Sequence, residues 1–136
     1  MYTKEIISLF CEMIAGNRSA YKMLMDNGYQ ELIMVNEALG GKKEGFQWLM
    51  ENKKYIPAAF VNAIMDENKK SVAFLMKMKA PQLAAVANAI IGDPNALDWL
   101  KKNGLEHYVK LVDAIEKKFE NDEGHGLSFL FKGPFS

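Results

Sequence analysis

The chain contains one cysteine, Cys11, and has no long run of apolar residues. With a single cysteine no internal disulfide can form, which favours a reducing compartment. The apolar residues near the start follow one basic residue and are interrupted by Ser8 and Glu12, which is too poor a run for a secretory signal peptide. No stretch reaches the roughly 20 apolar residues that span a bilayer. We therefore expect a cytoplasmic protein that does not enter a membrane.

Histidine is too scarce to build a metal site. The two histidines, His107 and His125, lie far apart, and Asp122 and Glu123 do not give His125 a recognised ligand spacing. The sequence also has no glycine-rich phosphate loop, no nucleophile elbow and no carboxylates paired into a dyad. We predict a protein without a metal, a cofactor or catalytic activity.

Charge of one sign is not in excess. Lys+Arg and Asp+Glu both total 17, so the formal net charge is zero. A balanced charge disfavours a broad electrostatic surface for nucleic acid or an anionic membrane. Arginine, which usually leads phosphate contacts, occurs once, at Arg18. Nucleic acid is therefore disfavoured as a partner.

An internal repeat is the strongest signal that the sequence does contain. Four segments share the pattern small–apolar–any–bulky–Leu: AYKML from Ala20, GFQWL from Gly45, SVAFL from Ser71 and ALDWL from Ala96. An alanine stands fifteen residues after each bulky residue, at Ala38, Ala63, Ala89 and Ala114. We predict an all-α fold, an α-solenoid of four helix-turn-helix repeats at 17–41, 42–66, 67–92 and 93–118. Residues 4–16 continue the register backwards as a half-repeat that caps the stack.

Turn residues mark the ends of the predicted helices. Asparagine followed by glycine or lysine ends the first helix of three units, at 27–28, 52–53 and 103–104. Pro57 and Pro81 lie near the start of second helices, and Asp93 before a proline is typical of an N-cap. Cys11 lies on the apolar stripe of the half-repeat, so we predict a core residue rather than a reactive thiol.

The small residue of the pattern has a packing role. Ala20, Gly45, Ser71 and Ala96 would let neighbouring helices approach closely. We expect Gly45→Leu to overpack this contact and to lower the free energy of unfolding by ~1–3 kcal/mol.

The fourth unit resembles a known family. Its sequence NALDWLKKNGLEHYVKLVDAI is similar to the helix-turn-helix part of an ankyrin repeat, through Ala96, Leu97, Gly104, Val109, Leu111 and Val112. The Thr-Pro-Leu-His signature is absent, and the period of 25 residues leaves no room for the ankyrin β-hairpin. The resemblance implies an ankyrin-like helical stack used for protein recognition, and it carries over no functional residue.

A column of methionines is the first candidate binding surface. Met25, Met50 and Met76 follow the leucine of the pattern in three units, and Lys101 replaces them in the fourth. Methionines in a column typically fill gaps between stacked helices. The alternative is a soft apolar groove that adapts to a partner helix.

Paired lysines are the second candidate surface. Lys42-Lys43 and Lys69-Lys70 follow predicted second helices, where a cation complements the negative helix end. The alternative is a basic edge that follows a phosphate backbone, with Tyr55 or Trp48 available for stacking.

The C-terminal segment departs from the repeat. Residues 119–126 are typical of a polar linker, and residues 127–136 form an apolar tail in which Leu127, Phe129 and Phe131 alternate as in a strand. We expect this tail to pack on the domain or on a partner, with a homo-oligomer as one outcome. The predicted function is a non-catalytic scaffold or adaptor that binds another protein. The alternative is a helical protein that binds a small ligand or nucleic acid through the methionine groove or the lysine edge.

Overall fold

The computed structural model describes residues 2–121. In that range the chain forms nine α-helices and no β-strand. In chain order they are α1 (Lys4–Ile14), α2 (Arg18–Asp26), α3 (Gln30–Leu39), α4 (Lys43–Glu51), α5 (Tyr55–Met65), α6 (Lys69–Lys77), α7 (Pro81–Ile90), α8 (Pro94–Lys102) and α9 (Glu106–Asn121). Each helix packs against the next one along the chain. The all-α class predicted from the sequence is confirmed, and none of the helices in residues 2–121 is long and apolar enough to cross a membrane.

Short outer helices alternate with inner helices that supply most of the core. The outer helices α2, α4, α6 and α8 have nine residues each and begin at residues 18, 43, 69 and 94. The leucine of the sequence pattern is 0% exposed in every one of them: Leu24, Leu49, Leu75 and Leu100. The small residue four positions earlier is buried as well. Residues four apart lie on one helix face, so each outer helix contacts the core through one narrow stripe.

The helices end in the same way throughout. One residue with positive φ follows each of the first eight helices: Gly16, Gly28, Gly41, Lys53, Glu67, Lys79, Gly92 and Gly104. After α2, the N–H of Gly28 donates to the carbonyl of Met25, and the N–H of Tyr29 donates to that of Leu24. The same pair of bonds recurs after α4, α6 and α8. This arrangement satisfies the last carbonyls of a helix and requires a left-handed residue, which glycine adopts without strain.

Polar side chains or a proline begin several of the helices. Asn17 and Asn68 accept hydrogen bonds from the first turns of α2 and α6 through their side-chain oxygens. The carboxylate of Asp93 accepts from the N–H of Asn95 at 2.9 Å, which makes it the predicted N-cap of α8. Pro81 begins α7, where a proline loses no hydrogen bond.

The first and last inner helices contact each other, which the repeat pattern did not predict. α1 packs along α9, and α9, α7, α5 and α3 pack in succession. The hydroxyl of Tyr2 donates to Oε2 of Glu31 at 3.1 Å, and its ring meets that of Tyr29 edge-on with centroids 6.2 Å apart. The inner helices α1, α3, α5, α7 and α9 therefore form a closed circuit.

The interior of this circuit is filled with side chains. A cavity of only about 10 Å³ remains where α1, α3, α5 and α7 meet, lined by Tyr2, Ile7, Phe10, Leu32, Val35, Pro57, Phe60 and Leu83. That space is about the minimum that holds a water molecule, and its lining is almost entirely apolar. The inner faces that line this cavity are thus part of the core of the protein.

α9 is longer than the other helices and ends at Asn121. Ile115 is fully buried and Phe119, four residues later, packs against the core. Because this apolar stripe continues at helical spacing, residues 119–121 are helical, although the sequence pattern assigned them to the linker. The rest of the predicted linker and the apolar tail with Phe129 and Phe131 lie outside the described residues.

Candidate functional site

The bulky residue of the sequence pattern lies at the protein surface on every outer helix. Met23 is 50% exposed and Trp99 is 39% exposed, and Trp48 and Phe74 are half-buried. Each of these residues stands directly before the fully buried leucine. Neighbours on a helix point about 100° apart, so the residue before the leucine lies at the edge of the helix face that meets the core. The result is one large apolar side chain at the edge of each outer helix.

A groove runs between α3 and α4 beside one of these residues. It has a volume of about 600 Å³ and is lined by Met34, Glu37, Lys42, Glu44, Gly45 and Trp48. Met34 and Glu37 lie on α3, and Gly45 and Trp48 lie on α4. Because glycine has no side chain, the floor of the groove is backbone at position 45. That backbone packs closely on α3, because a Cβ at position 45 would stand 2.6 Å from the carbonyl oxygen of Met34.

An equivalent groove runs between α7 and α8. It has a volume of about 300 Å³ and is lined by Met76, Pro81, Ala84, Ala85, Asn88, Asp93, Asn95, Ala96 and Trp99. Every residue that lines the α3–α4 groove has a counterpart here 51 positions later, with Trp99 matching Trp48 and Ala96 matching Gly45. Met76 adds an apolar wall from α6. The same surface feature thus occurs twice, two repeats apart.

The equivalent position between α5 and α6 is built differently. The hydroxyl of Ser71 donates to Oδ1 of Asn62 at 2.6 Å, and both residues are 0% exposed. Nδ2 of Asn62 in turn donates to Asp66 at 2.8 Å. These polar side chains connect α5 to α6 at the position where the other two grooves have Gly45 or Ala96.

Charge differs between the two grooves. At the α3–α4 groove, Nζ of Lys42 lies 3.1 Å from Oε2 of Glu37, and the two side chains are 69% and 37% exposed. An ion pair this exposed contributes little to stability. At the α7–α8 groove the rim carries the carboxylate of Asp93 and the amides of Asn88 and Asn95. The second groove is therefore the more apolar of the two, with a rim of hydrogen-bonding groups.

The candidate methionines are not collected into one surface. Met76 is 55% exposed and lines the α7–α8 groove. Met25 is 38% exposed and lines neither groove, and Met50 is half-buried against the core. The column predicted from the sequence thus contributes one residue, Met76, to a groove.

The candidate lysines are also dispersed. Lys42 lines the α3–α4 groove beside Trp48. Lys43 is the first residue of α4, and Lys69 and Lys70 are the first two residues of α6. The turns are so short that lysines following one helix begin the next, where the positive helix end opposes a cation rather than complementing it. Lys43, Lys69 and Lys70 line neither groove, and Phe129 and Phe131 lie outside the described residues.

Trp99 is the surface residue that the sequence analysis missed. The pattern identified its position as a marker of the repeat without assigning it to the surface. The sequence contains the pattern that indicates this exposure. Trp99 stands directly before the buried leucine of a nine-residue helix, and adjacent residues on a helix do not share one face. The recurrence of a large apolar residue at that flanking position, in all four units, predicts an exposed apolar edge.

Reactive side chains do not converge in the described part of the chain. Burial raises the pKa of the Cys11 thiol to about 11, which keeps it protonated near neutral pH. Desolvation and the charge of Lys4 lower the pKa of His107. Among residues 2–121, no three histidine, cysteine or acidic side chains are grouped so that they could hold a metal ion.

Comparison with known proteins gives no match: no family model, no curated protein and no solved structure is significantly similar to the chain.

Proposed function

We propose that this protein is a non-catalytic interaction module, a scaffold or adaptor, that binds another protein through the α7–α8 groove. The observation that carries the proposal is the 39% exposure of Trp99 at the rim of a groove whose floor consists of alanines. Tryptophan is costly to leave in water and is enriched among the residues that dominate binding energy at protein interfaces. A floor of Ala84, Ala85 and Ala96 leaves space for a partner's side chain beside the indole.

The size of the effect supports a protein partner. Tryptophan buries up to ~250 Å² when fully covered, so the exposed part of Trp99 represents ~100 Å². At ~25 cal/mol per Å², covering it contributes ~2–3 kcal/mol. Met76 adds a polarizable side chain that adapts to partners of different shape. A few anchors of this size are enough to account for most of the affinity at a typical interface.

A small ligand is the second candidate, because the α7–α8 groove of about 300 Å³ reaches the lower end of the range for small-molecule sites. Its apolar lining with three polar groups on the rim fits that chemistry. Nucleic acid is not favoured, since Lys42 is the one candidate lysine that lines a groove.

The test is capture from a lysate of the source organism with the wild-type chain, a Trp99→Ala variant and a Tyr21→Ala control, with bound protein, nucleic acid and small molecules all identified. Tyr21 is 43% exposed on the equivalent helix α2 and lines neither groove, which makes it a matched control. The proposal requires one stoichiometric protein that is retained by Tyr21→Ala, lost from Trp99→Ala and insensitive to added salt. Capture of a small molecule instead of a protein would identify the groove as a small-ligand site. Binding that weakens steeply as the salt concentration rises would indicate that the lysines bind the partner.

We further propose that the module is related to ankyrin repeats and works in the cytoplasm. The pairing of each nine-residue outer helix with an inner helix supports the first point. The single cysteine supports the second.

A further inference from the structure

A lysine side chain near the end of α9 reaches the residue that directly follows α3. Nζ of Lys118 is 3.4 Å from the place where a Cβ on Gly40 would stand. Gly40 directly follows α3, and it stands between Glu37 and Lys42, two residues that line the groove. Asn121 is three residues, about 4.5 Å, further along the helix. Lys118 on α9 is therefore one side-chain length from the end of α3, next to the rim of this groove.

The sequence that continues from this point is strongly apolar. Fifteen residues follow Asn121, and they include Leu127, Phe129, Leu130, Phe131 and Phe135. Residue 127 is six positions beyond Asn121, so the intervening chain spans at most ~20 Å. For apolar side chains within that distance of an open groove, burial in the groove is more favourable than contact with water.

We propose that the C-terminal segment 127–135 docks in the α3–α4 groove of its own chain. Phe129 and Phe131 cover the half-buried faces of Trp48 and Met34, over the backbone floor at Gly45. Lys132 meets the acidic rim, where Glu44 offers the opposite charge. Under this proposal the α3–α4 groove is occupied from within the chain and the equivalent α7–α8 groove stays open. The inference does not depend on the proposed function, because it concerns a different groove and an occupant from the same chain.

The two tryptophans allow a direct test in the full-length chain, since each stands in one groove. Trp99→Phe leaves Trp48 as the sole reporter of the α3–α4 groove, and Trp48→Phe leaves Trp99 as the matched reporter of the other. Phe129→Asp with Phe131→Asp is introduced into each background. We expect the emission of Trp48 to shift to longer wavelength and to be quenched more strongly by acrylamide, at every protein concentration. The emission of Trp99 should be unchanged.

Three results would overturn the proposal. The first is that the emission and the acrylamide quenching of Trp48 do not change. The second is a change in emission that occurs only for Trp99, which would place the segment in the α7–α8 groove. The third is a Trp48 response that disappears on dilution, which would show that the segment docks on a second copy of the chain.

A cross-linking measurement on chains that keep both phenylalanines provides an independent test. In a Cys11→Ala background, Glu44→Cys is combined with Lys132→Cys. The control combines Lys132→Cys with Asn95→Cys, because Asn95 is the counterpart of Glu44 in the other groove. Mild oxidation should join the first pair within one chain and leave the second pair largely reduced. Equal yields, or a higher yield for the control, would contradict docking in the α3–α4 groove.

Discussion

A methyl group at position 45 has no room between α3 and α4. A Cβ built on Gly45 would stand 2.6 Å from the carbonyl oxygen of Met34, 2.9 Å from the backbone nitrogen of Ala38 and 3.1 Å from Cβ of Glu37. The two closest atoms belong to the backbone of α3, so a rotamer change cannot relieve the contact. Gly45→Ala must push the two helices apart.

The expected change in the free energy of unfolding of Gly45→Ala is the difference between two effects. Overpacking a well-packed contact costs ~1–3 kcal/mol, and backbone contacts of 2.6 and 2.9 Å place this one in the upper part of that range, at ~2–3 kcal/mol. Alanine has the higher helix propensity, which offsets ~1 kcal/mol in the middle of a helix. We therefore expect Gly45→Ala to lower the free energy of unfolding by ~1–2 kcal/mol, and Gly45→Leu to lower it further. With a urea m-value of ~1–3 kcal/mol per molar, the midpoint of Gly45→Ala should fall by roughly 0.5–1 M.

A control on the same helix separates packing from propensity. Gln47 is exposed on α4, so the difference between Gln47→Ala and Gln47→Gly measures the helix propensity alone. There alanine should be the more stable residue by ~1 kcal/mol, opposite in sign to the effect at position 45. If Gly45→Ala raises the urea midpoint as the Gln47 pair does, α3 and α4 do not approach as closely as the structure shows.

Three further predictions concern other positions. Ser71→Ala removes the hydroxyl that donates to buried Asn62 at 2.6 Å and should lower the free energy of unfolding by ~1–2 kcal/mol in thermal denaturation. Lys53 has a φ of 58°, where a residue with a Cβ is strained by ~1–2 kcal/mol, so Lys53→Gly should raise the free energy of unfolding, measured in urea, by a net ~0.5–1 kcal/mol. Because burial raises the pKa of the Cys11 thiol to about 11, iodoacetamide at pH 8 should label the folded protein more slowly than the unfolded chain, by on the order of 100-fold, as followed by mass spectrometry.

Each of these predictions has a control in the same chain. Ser8→Ala changes an exposed serine on α1 and should leave thermal stability almost unchanged. Lys54→Gly changes the next residue, whose φ is −87°, and should not stabilise the protein. The labelling of Cys11 has its control in the same protein, because unfolding in urea should restore rapid labelling.

The raised pKa of Cys11 also determines how stability changes with pH. Cys11 does not alter stability below about pH 9, and it lowers stability as the pH rises to about 11.

The core of the fold could be predicted because local rules and packing agree at the same residues. Leu24, Leu49, Leu75 and Leu100 were recognised by their spacing, and all four are fully buried. The Asn-Gly pair at 27–28 was expected to end a helix, and Gly28 adopts the left-handed conformation that ends α2. At Lys53 and Lys79 the turn keeps the same conformation without glycine. There the register of the repeat, rather than local propensity, identifies the turn.

The candidate site could be predicted only in part, because exposure depends on which neighbour a helix meets. Met25 and Met76 occupy the same position of the pattern, but Met76 reaches a groove and Met25 does not. Trp48 and Trp99 also share one position, yet Trp48 is half-buried and Trp99 is exposed. A repeat pattern assigns a residue to a face of its helix. It does not give the packing against the next helix, which differs between Gly45, against the backbone of α3, and Ser71, hydrogen-bonded to Asn62 of α5.

Closure of the inner helices changes where this protein can bind a partner. An open solenoid offers a continuous concave surface built by its inner helices. Here α1 packs along α9, and the space where α1, α3, α5 and α7 meet shrinks to a cavity of about 10 Å³. That cavity is too small for any side chain of a partner. The two larger openings described above lie instead on the outer side, where an outer helix meets the preceding inner helix over a small residue. Both grooves therefore present a tryptophan from an outer helix, and the proposed partner would meet Trp99 rather than a side chain of the inner helices.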